Sequence, residues 1–158
     1  MIRPANKVDA EILTAVSFKS KGYWGYAEEY FAIWKDELTI SPEYIENNIV
    51  FVCEQDGAVT GYYSIIELQE SIQVAGAQLD KGFWLEHMFI VPENIGRGTG
   101  SELFSHLRKE CIDQGINELK ILVDPNSTGF YEKMGCKYRS DFPSTIPDRT
   151  TPLFVLQV

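Results

Sequence analysis

Cysteine and histidine are scarce: three Cys and two His in 158 residues. Cys53, Cys111 and Cys136 lie far apart, with no Cys-x-x-Cys pair and no Cys/His cluster. An odd, scattered set excludes a disulfide framework and a zinc centre, so no metal is expected and the thiols read as buried and free in a reducing cytoplasm. No stretch approaches the ~20 consecutive apolar residues of a membrane span, so no membrane partner is expected. The first residues, Met1-Ile2-Arg3-Pro4-Ala5-Asn6-Lys7, have no apolar core of a secretory signal, which again points to a cytoplasmic location. Positive charge is short as well. Lys and Arg number 14 against 23 Asp and Glu, a net charge of −9 with no basic tract, which argues against nucleic acid as a partner. Repeats, low-complexity tracts and linkers are also missing, so residues 1–158 are expected to form a single domain of ordinary size.

The pattern along the chain predicts a mixture of helices and strands. Ile2-Arg3 reads as a short edge strand before Pro4. Helices are expected from about Lys7 to Lys19 and from Tyr26 to Glu37, the second with Tyr30, Phe31 and Trp34 on one side. Ser41-Pro42 is an N-cap followed by proline at the first helical position, opening a short helix to Asn48. Val50–Glu54 and Val59–Leu68 read as a hairpin about Gln55-Asp56-Gly57, since Asp-Gly between apolar runs is a turn signal. Gln69–Ala77 is expected to be a connection to a strand over Leu79–Val91. Helix, strand (Leu119–Val123), helix and two strands complete the chain, the last over Leu153–Val158.

The most informative segment is Phe89-Ile90-Val91-Pro92-Glu93-Asn94-Ile95-Gly96-Arg97-Gly98-Thr99-Gly100. An apolar strand stops at a proline, and a glycine-rich loop with one arginine opens a helix. Leu103, Phe104, Leu107 and Cys111 form one apolar helical face. Such a loop leaves backbone N–H groups at the positive end of a helix dipole, where a phosphate binds. Glycine lets the backbone take positive φ and approach the anion closely. Gly100-Ser101-Glu102 lacks the Gly-Lys-Ser/Thr ending of a P-loop, and the Gly96, Gly98, Gly100 spacing is not the G-x-G-x-x-G dinucleotide fingerprint.

Val-x-Pro or a near variant, a few residues, then Arg-Gly-x-Gly resembles the acetyl-coenzyme A motif of the GNAT superfamily of N-acetyltransferases. A second motif strengthens the likeness. Asn126-Ser127-Thr128-Gly129-Phe130-Tyr131-Glu132-Lys133-Met134-Gly135-Cys136 resembles the family's Asn-x-x-Ala-x-x-Phe-Tyr-Glu-Lys-x-Gly-Phe, with fewer residues between Asn and Phe-Tyr. The specific resemblance covers roughly residues 50–140. Ile95 stands where the family usually has Gln or Arg, so one side-chain contact to the pyrophosphate is missing, and Cys136 replaces an aromatic.

The resemblance implies an α+β fold. Its centre is a mixed, mostly antiparallel sheet flanked by helices, with two strands splayed to hold acetyl-CoA. Asp124-Pro125 suits a parting strand, because proline cannot donate to a ladder. It also implies that Phe89, Ile90, Val91, Gly96, Arg97, Gly98, Thr99, Gly100, Ser101, Asn126, Phe130 and Tyr131 contact the cosubstrate.

Acetyl transfer to an amine needs the neutral amine. An alkylammonium titrating at about 10.4 must give up its proton at a cost of roughly 4.6 kcal/mol at pH 7. Glu86, on the strand leading to the loop, is the expected base, with His87 or a water chain as alternatives. Strand alternation puts Glu86 with Trp84 and Met88, which would desolvate it. Tyr131 matches the family's general acid. A tyrosine near 10 is a weaker acid than a thiol near 8.5, so it is better pictured as a hydrogen-bond donor to sulfur unless its pKa is lowered.

For the acceptor, the aromatic run Tyr23, Trp24 and Tyr26 is expected to wall a pocket and hold an ammonium by cation–π contact, with Arg149 closing it from another loop. The expected activity is acetyl-CoA-dependent N-acetyl transfer to a small-molecule or peptide amine, direct and within a ternary complex. The alternative is a catalytically silent acetyl-CoA sensor. A homodimer stays open as an assembly.

Overall fold

The computed structural model describes residues 1–158. In chain order the elements are β1 (Ile2–Pro4), α1 (Ala10–Gly22), α2 (Glu28–Leu38), α3 (Pro42–Asn47), β2 (Ile49–Gln55), β3 (Ala58–Leu68), β4 (Ile72–Val74), β5 (Ala77–Leu79), β6 (Gly82–Ile90), α4 (Thr99–Asp113), β7 (Glu118–Leu122), α5 (Thr128–Lys133), β8 (Lys137–Pro143) and β9 (Thr150–Gln157). All strands but β4 and β5 belong to one seven-stranded sheet in the order β1-β2-β3-β6-β7-β9-β8. The fold is α+β, with a mostly antiparallel mixed sheet and flanking helices, as expected.

Local chemistry explains several boundaries. Ser41 Oγ accepts from Tyr44 N at 3.0 Å and Pro42 fills the first turn, so α3 starts where the cap predicts. Asp56 and Gly57 take φ of 52° and 79°, the two left-handed residues that a two-residue hairpin needs between β2 and β3. The first helix begins later than expected, because Lys7–Asp9 forms a 3₁₀ turn capped by Asn6, whose side chain accepts from Val8 N at 3.1 Å.

The stretch from Gln69 to Leu79 differs from the expected plain connection. Ile72-Gln73-Val74 and Ala77-Gln78-Leu79 alternate with period two and pair antiparallel as a separate two-stranded sheet. Ala75 and Gly76 make its turn at φ of 51° and 80°. Leu79 therefore belongs to this ribbon, and the sheet strand starts only at Gly82.

By contacts the chain divides into two compact units, Met1–Ile65 with His87–Leu107 and Ile66–Glu86 with Arg108–Val158. The division runs through β3, β6 and α4.

In the first unit, β1 and β3 pair antiparallel with β2. Ala10, Leu13 and Val16 of α1 and Ile45 of α3 close over Val50, Val52 and Tyr62 as one core. Thr14 ties α1 to the following segment, accepting from Ile40 N at 2.9 Å. The other face of the strands meets α4, where Tyr63 Oη and His106 Nδ1 hydrogen-bond at 2.9 Å and Leu103 and Phe104 are buried. Both faces of β3 are thus covered, which is why adjacent Tyr62 and Tyr63 are each fully buried. Arg3 joins Asp9 at 2.8 Å and Glu54 at 2.7 Å, fastening the N-terminal strand to the first turn and to β2.

In the second unit, β9 lies antiparallel between β7 and β8. Leu119, Ile121, Phe154 and Leu156 supply its buried apolar layer. The parallel ladder of β6 with β7 has two pairs, Trp84↔Lys120 and Leu85↔Ile121, and ends before Glu86 and Leu122.

Candidate functional site

The first unit carries the glycine loop. Val91 N donates to Thr60 O at 2.9 Å, which holds the end of β6 on β3. Pro92–Asn94 then forms a 3₁₀ turn, and Gly96 and Gly98 take φ of 78° and 88°. An L-residue at either place would be strained, so glycine is needed for conformation as expected. Glu102 N donates to Gly98 O at 3.0 Å, the first bond of α4. The N–H groups of Thr99, Gly100 and Ser101 consequently belong to the first turn, where helix geometry supplies no intrahelical acceptor. A Cβ on Gly96 or Gly98 would meet nothing within 4 Å, so both glycines border open space. Arg97 is exposed beside it, and Thr99 and Gly100 are buried.

One residue beneath this loop escaped the sequence reading. Gln55, at the end of β2, accepts from Asn94 Nδ2 at 3.0 Å and donates to Thr99 Oγ1 at 3.5 Å, bracing both ends of the loop. No local pattern marks it, because its partners lie 39 and 44 residues away.

Phe89 and Val91 pack on the first unit's core, and Phe89 stacks on buried His87 with ring centroids 5.4 Å apart. Ile90 N donates to Ser20 Oγ at 3.4 Å. The last turn of α1 thereby lies at the end of β6, and the aromatic run follows directly. Tyr23 and Trp24 form an edge-on pair with centroids 4.9 Å apart, and Trp24 is 39% exposed, so its indole is not a core residue. Tyr26 has a different setting. It packs edge-on against Trp34 at 5.0 Å, and the Lys21 ammonium lies 4.4 Å from the Trp34 ring centroid and 5.4 Å from that of Tyr26. The ammonium that these rings hold is the chain's own.

The second unit carries Glu86, Asn126, Phe130, Tyr131 and Arg149. Desolvation of Glu86 by its strand neighbours is not what the chain supplies, because Glu86 is exposed. Trp84 is buried and engaged elsewhere, with its Nε1 donating to Asp80 O at 2.9 Å and Lys120 Nζ 5.6 Å from its ring.

After β7, Asp124 Oδ1 accepts from Asn126 N at 2.9 Å and from Asn126 Nδ2 at 3.0 Å. Asp124, not Asn126, is thus the capping residue of this turn. Phe130 is half-buried and sits edge-on to Tyr131 at 5.1 Å. Tyr131 is buried, and burial is the chief cause that raises its hydroxyl well above the usual tyrosine value, with Cys136 and Asp124 adding to it. The hydroxyl therefore stays protonated near neutral pH. Burial also pushes the Cys111 and Cys136 thiols up to about 11, so neither is a thiolate nucleophile near neutral pH. All three cysteines are free.

Arg149 lies in the closed β8–β9 loop, where Ser144 N donates to Arg149 O at 3.0 Å and Arg149 N to Ile146 O at 3.3 Å. A shallow groove of about 570 Å³ lined by Gly135, Lys137, Tyr138, Arg139, Val155 and Gln157 contains none of the expected site residues. No helix is long and apolar enough to cross a membrane.

A mostly antiparallel sheet whose sixth strand runs into a glycine loop at a helix start offers backbone amides to a phosphate. The chain belongs to the GNAT acetyltransferases: the sequence model of the family described as "Acetyltransferase (GNAT) domain" matches residues 46–137. Solved structures with the same fold include the PaiA N-acetyltransferase from Thermoplasma acidophilum in complex with coenzyme A, at 20% identity and a TM-score of 0.76 over 100% of this chain and 98% of that one. A GNAT family acetyltransferase from Brucella melitensis in complex with acetyl-CoA is similar at 19% identity and a TM-score of 0.63, covering 99% and 86%. The ribosomal-protein-alanine N-acetyltransferase from Brucella melitensis gives 16% identity and a TM-score of 0.66, covering 100% and 99%. No curated protein matches the sequence.

Proposed function

We propose that residues 1–158 act as a single N-acetyltransferase domain that moves the acetyl group of acetyl-CoA directly to a primary amine in a ternary complex, in the cytoplasm. The observation that carries this is the loop at Gly96–Gly98, whose left-handed glycines border open space just before α4 begins. Membership of the family supports the reaction class. Gly96, Arg97, Gly98, Thr99, Gly100 and Ser101 are assigned to the pyrophosphate, and the backbone at Phe89, Ile90 and Val91 to the pantetheine arm.

In the reaction the acceptor nitrogen loses a proton to Glu86, directly or through water, and attacks the thioester carbonyl. The C–S bond breaks as the C–N bond closes, the new amide nitrogen gives its second proton to solvent, and the departing sulfur draws on the Tyr131 hydroxyl as a hydrogen-bond donor while it takes a proton from solvent. The raised Tyr131 favours that division of labour over proton transfer from the phenol. Raised thiols at Cys111 and Cys136 favour direct transfer over an acetyl-enzyme. Tyr23, Trp24 and Arg149 are assigned to the acceptor, Tyr23 and Trp24 being the exposed members of the aromatic run, while Tyr26 is taken by the chain's own Lys21.

The test is a panel of alkylamines, amino acids and short peptides screened for CoA release, beside calorimetric titration with CoA. Binding of CoA with turnover of at least one amine is expected. Tight CoA binding with no turnover on any amine favours the sensor, for which the exposure of Glu86 is the supporting observation. Absence of CoA binding overturns both.

A further inference from the structure

Helix α5 is six residues long, too short to hold its own shape, and it carries Tyr131. Its last turn is closed by a succession of backbone bonds. Met134 N donates to Phe130 O at 3.0 Å, Gly135 N to Glu132 O at 3.0 Å, and Cys136 N to Tyr131 O at 2.9 Å. The carbonyl of Met134 faces a guanidinium instead, accepting from Arg108 Nη2 at 2.5 Å. Arg108 is on α4, so it fastens one helix to the end of the other.

The place is shaped for that group. Gly135 turns the chain at φ of 94°, and a Cβ there would lie 2.8 Å from Arg108 Nη2. Glycine is therefore required at this position for its conformation, and a Cβ there would also push the guanidinium from its place. A cation at the C-terminal end of a helix also meets the negative end of its dipole. Met134 stands three residues beyond Tyr131, on the same side of the helix, so the fastening acts within one turn of the phenol.

We propose that Arg108 is a positioning residue for acetyl transfer, holding the α5 turn so that the Tyr131 hydroxyl is aimed and immobile. The inference rests on the role given to Tyr131 above. Arg108 touches no reacting atom; it acts through the Met134 carbonyl and the turn at Gly135. Its effect belongs to kcat and depends on the Tyr131 hydroxyl being there to aim.

The experiment is a double-mutant cycle with hydroxylamine as acceptor probe, an amine already neutral at pH 7 and so independent of any base, with the uncatalysed reaction subtracted. Arg108→Met should lower kcat about tenfold, leave acetyl-CoA affinity within about twofold, and have no further effect when combined with Tyr131→Phe. Arg108→Lys, which keeps a charged donor, should restore part of the rate. If Arg108→Met does not fold, Arg108→Lys carries the same cycle with a smaller drop. An equal loss of kcat in both backgrounds, with Tyr131→Phe itself slow, overturns the inference while leaving Tyr131 in place. Wild-type turnover of Tyr131→Phe overturns the role of Tyr131, and the Arg108 inference falls with it. An Arg108→Met protein with unchanged kcat overturns the inference alone.

Discussion

Ile90 N and Ser20 Oγ lie 3.4 Å apart, a long hydrogen bond that joins the end of β6 to the last turn of α1. The neighbouring amide of Val91 is held more closely, at 2.9 Å from Thr60 O. In an extended strand, successive N–H groups point to opposite edges, so Ile90 offers its amide away from β3. A pantetheine carbonyl can take it only by displacing the Ser20 hydroxyl. Ser20→Ala should therefore tighten acetyl-CoA binding by about two- to fivefold, the worth of a bond of roughly 0.5–1 kcal/mol no longer broken on binding. Calorimetric titration measures it, and weaker binding would show that Ser20 supports the cosubstrate instead.

Gly98→Ala separates binding from folding. A Cβ there meets no atom within 4 Å, so the cost in stability comes only from φ of 88°, about 1 kcal/mol. The same methyl projects into the space assigned to the pyrophosphate, and acetyl-CoA affinity should fall at least tenfold. Arg97→Ala should weaken binding less. A folded Gly98→Ala protein with wild-type affinity in calorimetry would remove the loop from the site.

Tyr131→Phe should lower kcat by about 10²–10³-fold, the loss typical of one donor to developing negative charge, with cosubstrate affinity near wild type. The pH dependence is diagnostic. Tyr131 is held protonated beyond the usual tyrosine range of about 10, so between pH 8 and 10 the wild type and Tyr131→Phe should have rate profiles of the same shape. An alkaline fall present in the wild type and abolished in the mutant would mean that the phenol itself transfers a proton.

Trp24 is exposed, as is its neighbour Tyr23. Trp24→Ala should raise the acceptor KM several-fold while leaving acetyl-CoA affinity nearly unchanged, because an exposed indole contributes binding more than chemistry. Equal KM values across every amine that turns over would make the ring scaffold.

The Arg3–Asp9–Glu54 cluster makes acid stability measurable. The Arg3 guanidinium, first by hydrogen bond, holds the Asp9 carboxyl below its ordinary value. A depressed folded-state value means stability that is present above about pH 4 and lost as pH falls through the lower folded value. Arg3→Met should cost about 2–4 kcal/mol at neutral pH, because it leaves a nearly buried carboxylate without its partner. It should also flatten the loss of melting temperature below about pH 4. An unchanged acid limb would show that other carboxylates govern it.

Local chemistry alone determined a large part of this protein. The Ser41-Pro42 cap, the Asp56-Gly57 turn, the apolar face Leu103, Phe104, Leu107 and Cys111, and the left-handed glycines at 96 and 98 all follow from interactions within a few residues, and each was legible in advance. The β4–β5 ribbon was equally local, but its alternation is only three residues long on each side and reads as loop. What the tertiary structure decided is which distant groups meet. It gave the Lys21 ammonium to Trp34 and Tyr26, braced the glycine loop with Gln55, left Glu86 exposed, buried the Tyr131 hydroxyl and delivered Arg108 to the Met134 carbonyl. These outcomes depend on burial and on side chains many residues apart, which no periodicity or turn signal encodes. Tyr26 thus becomes a ring packed on Trp34 while the Tyr131 hydroxyl is held protonated, because solvation and neighbours set a side chain's chemistry only after the chain has packed.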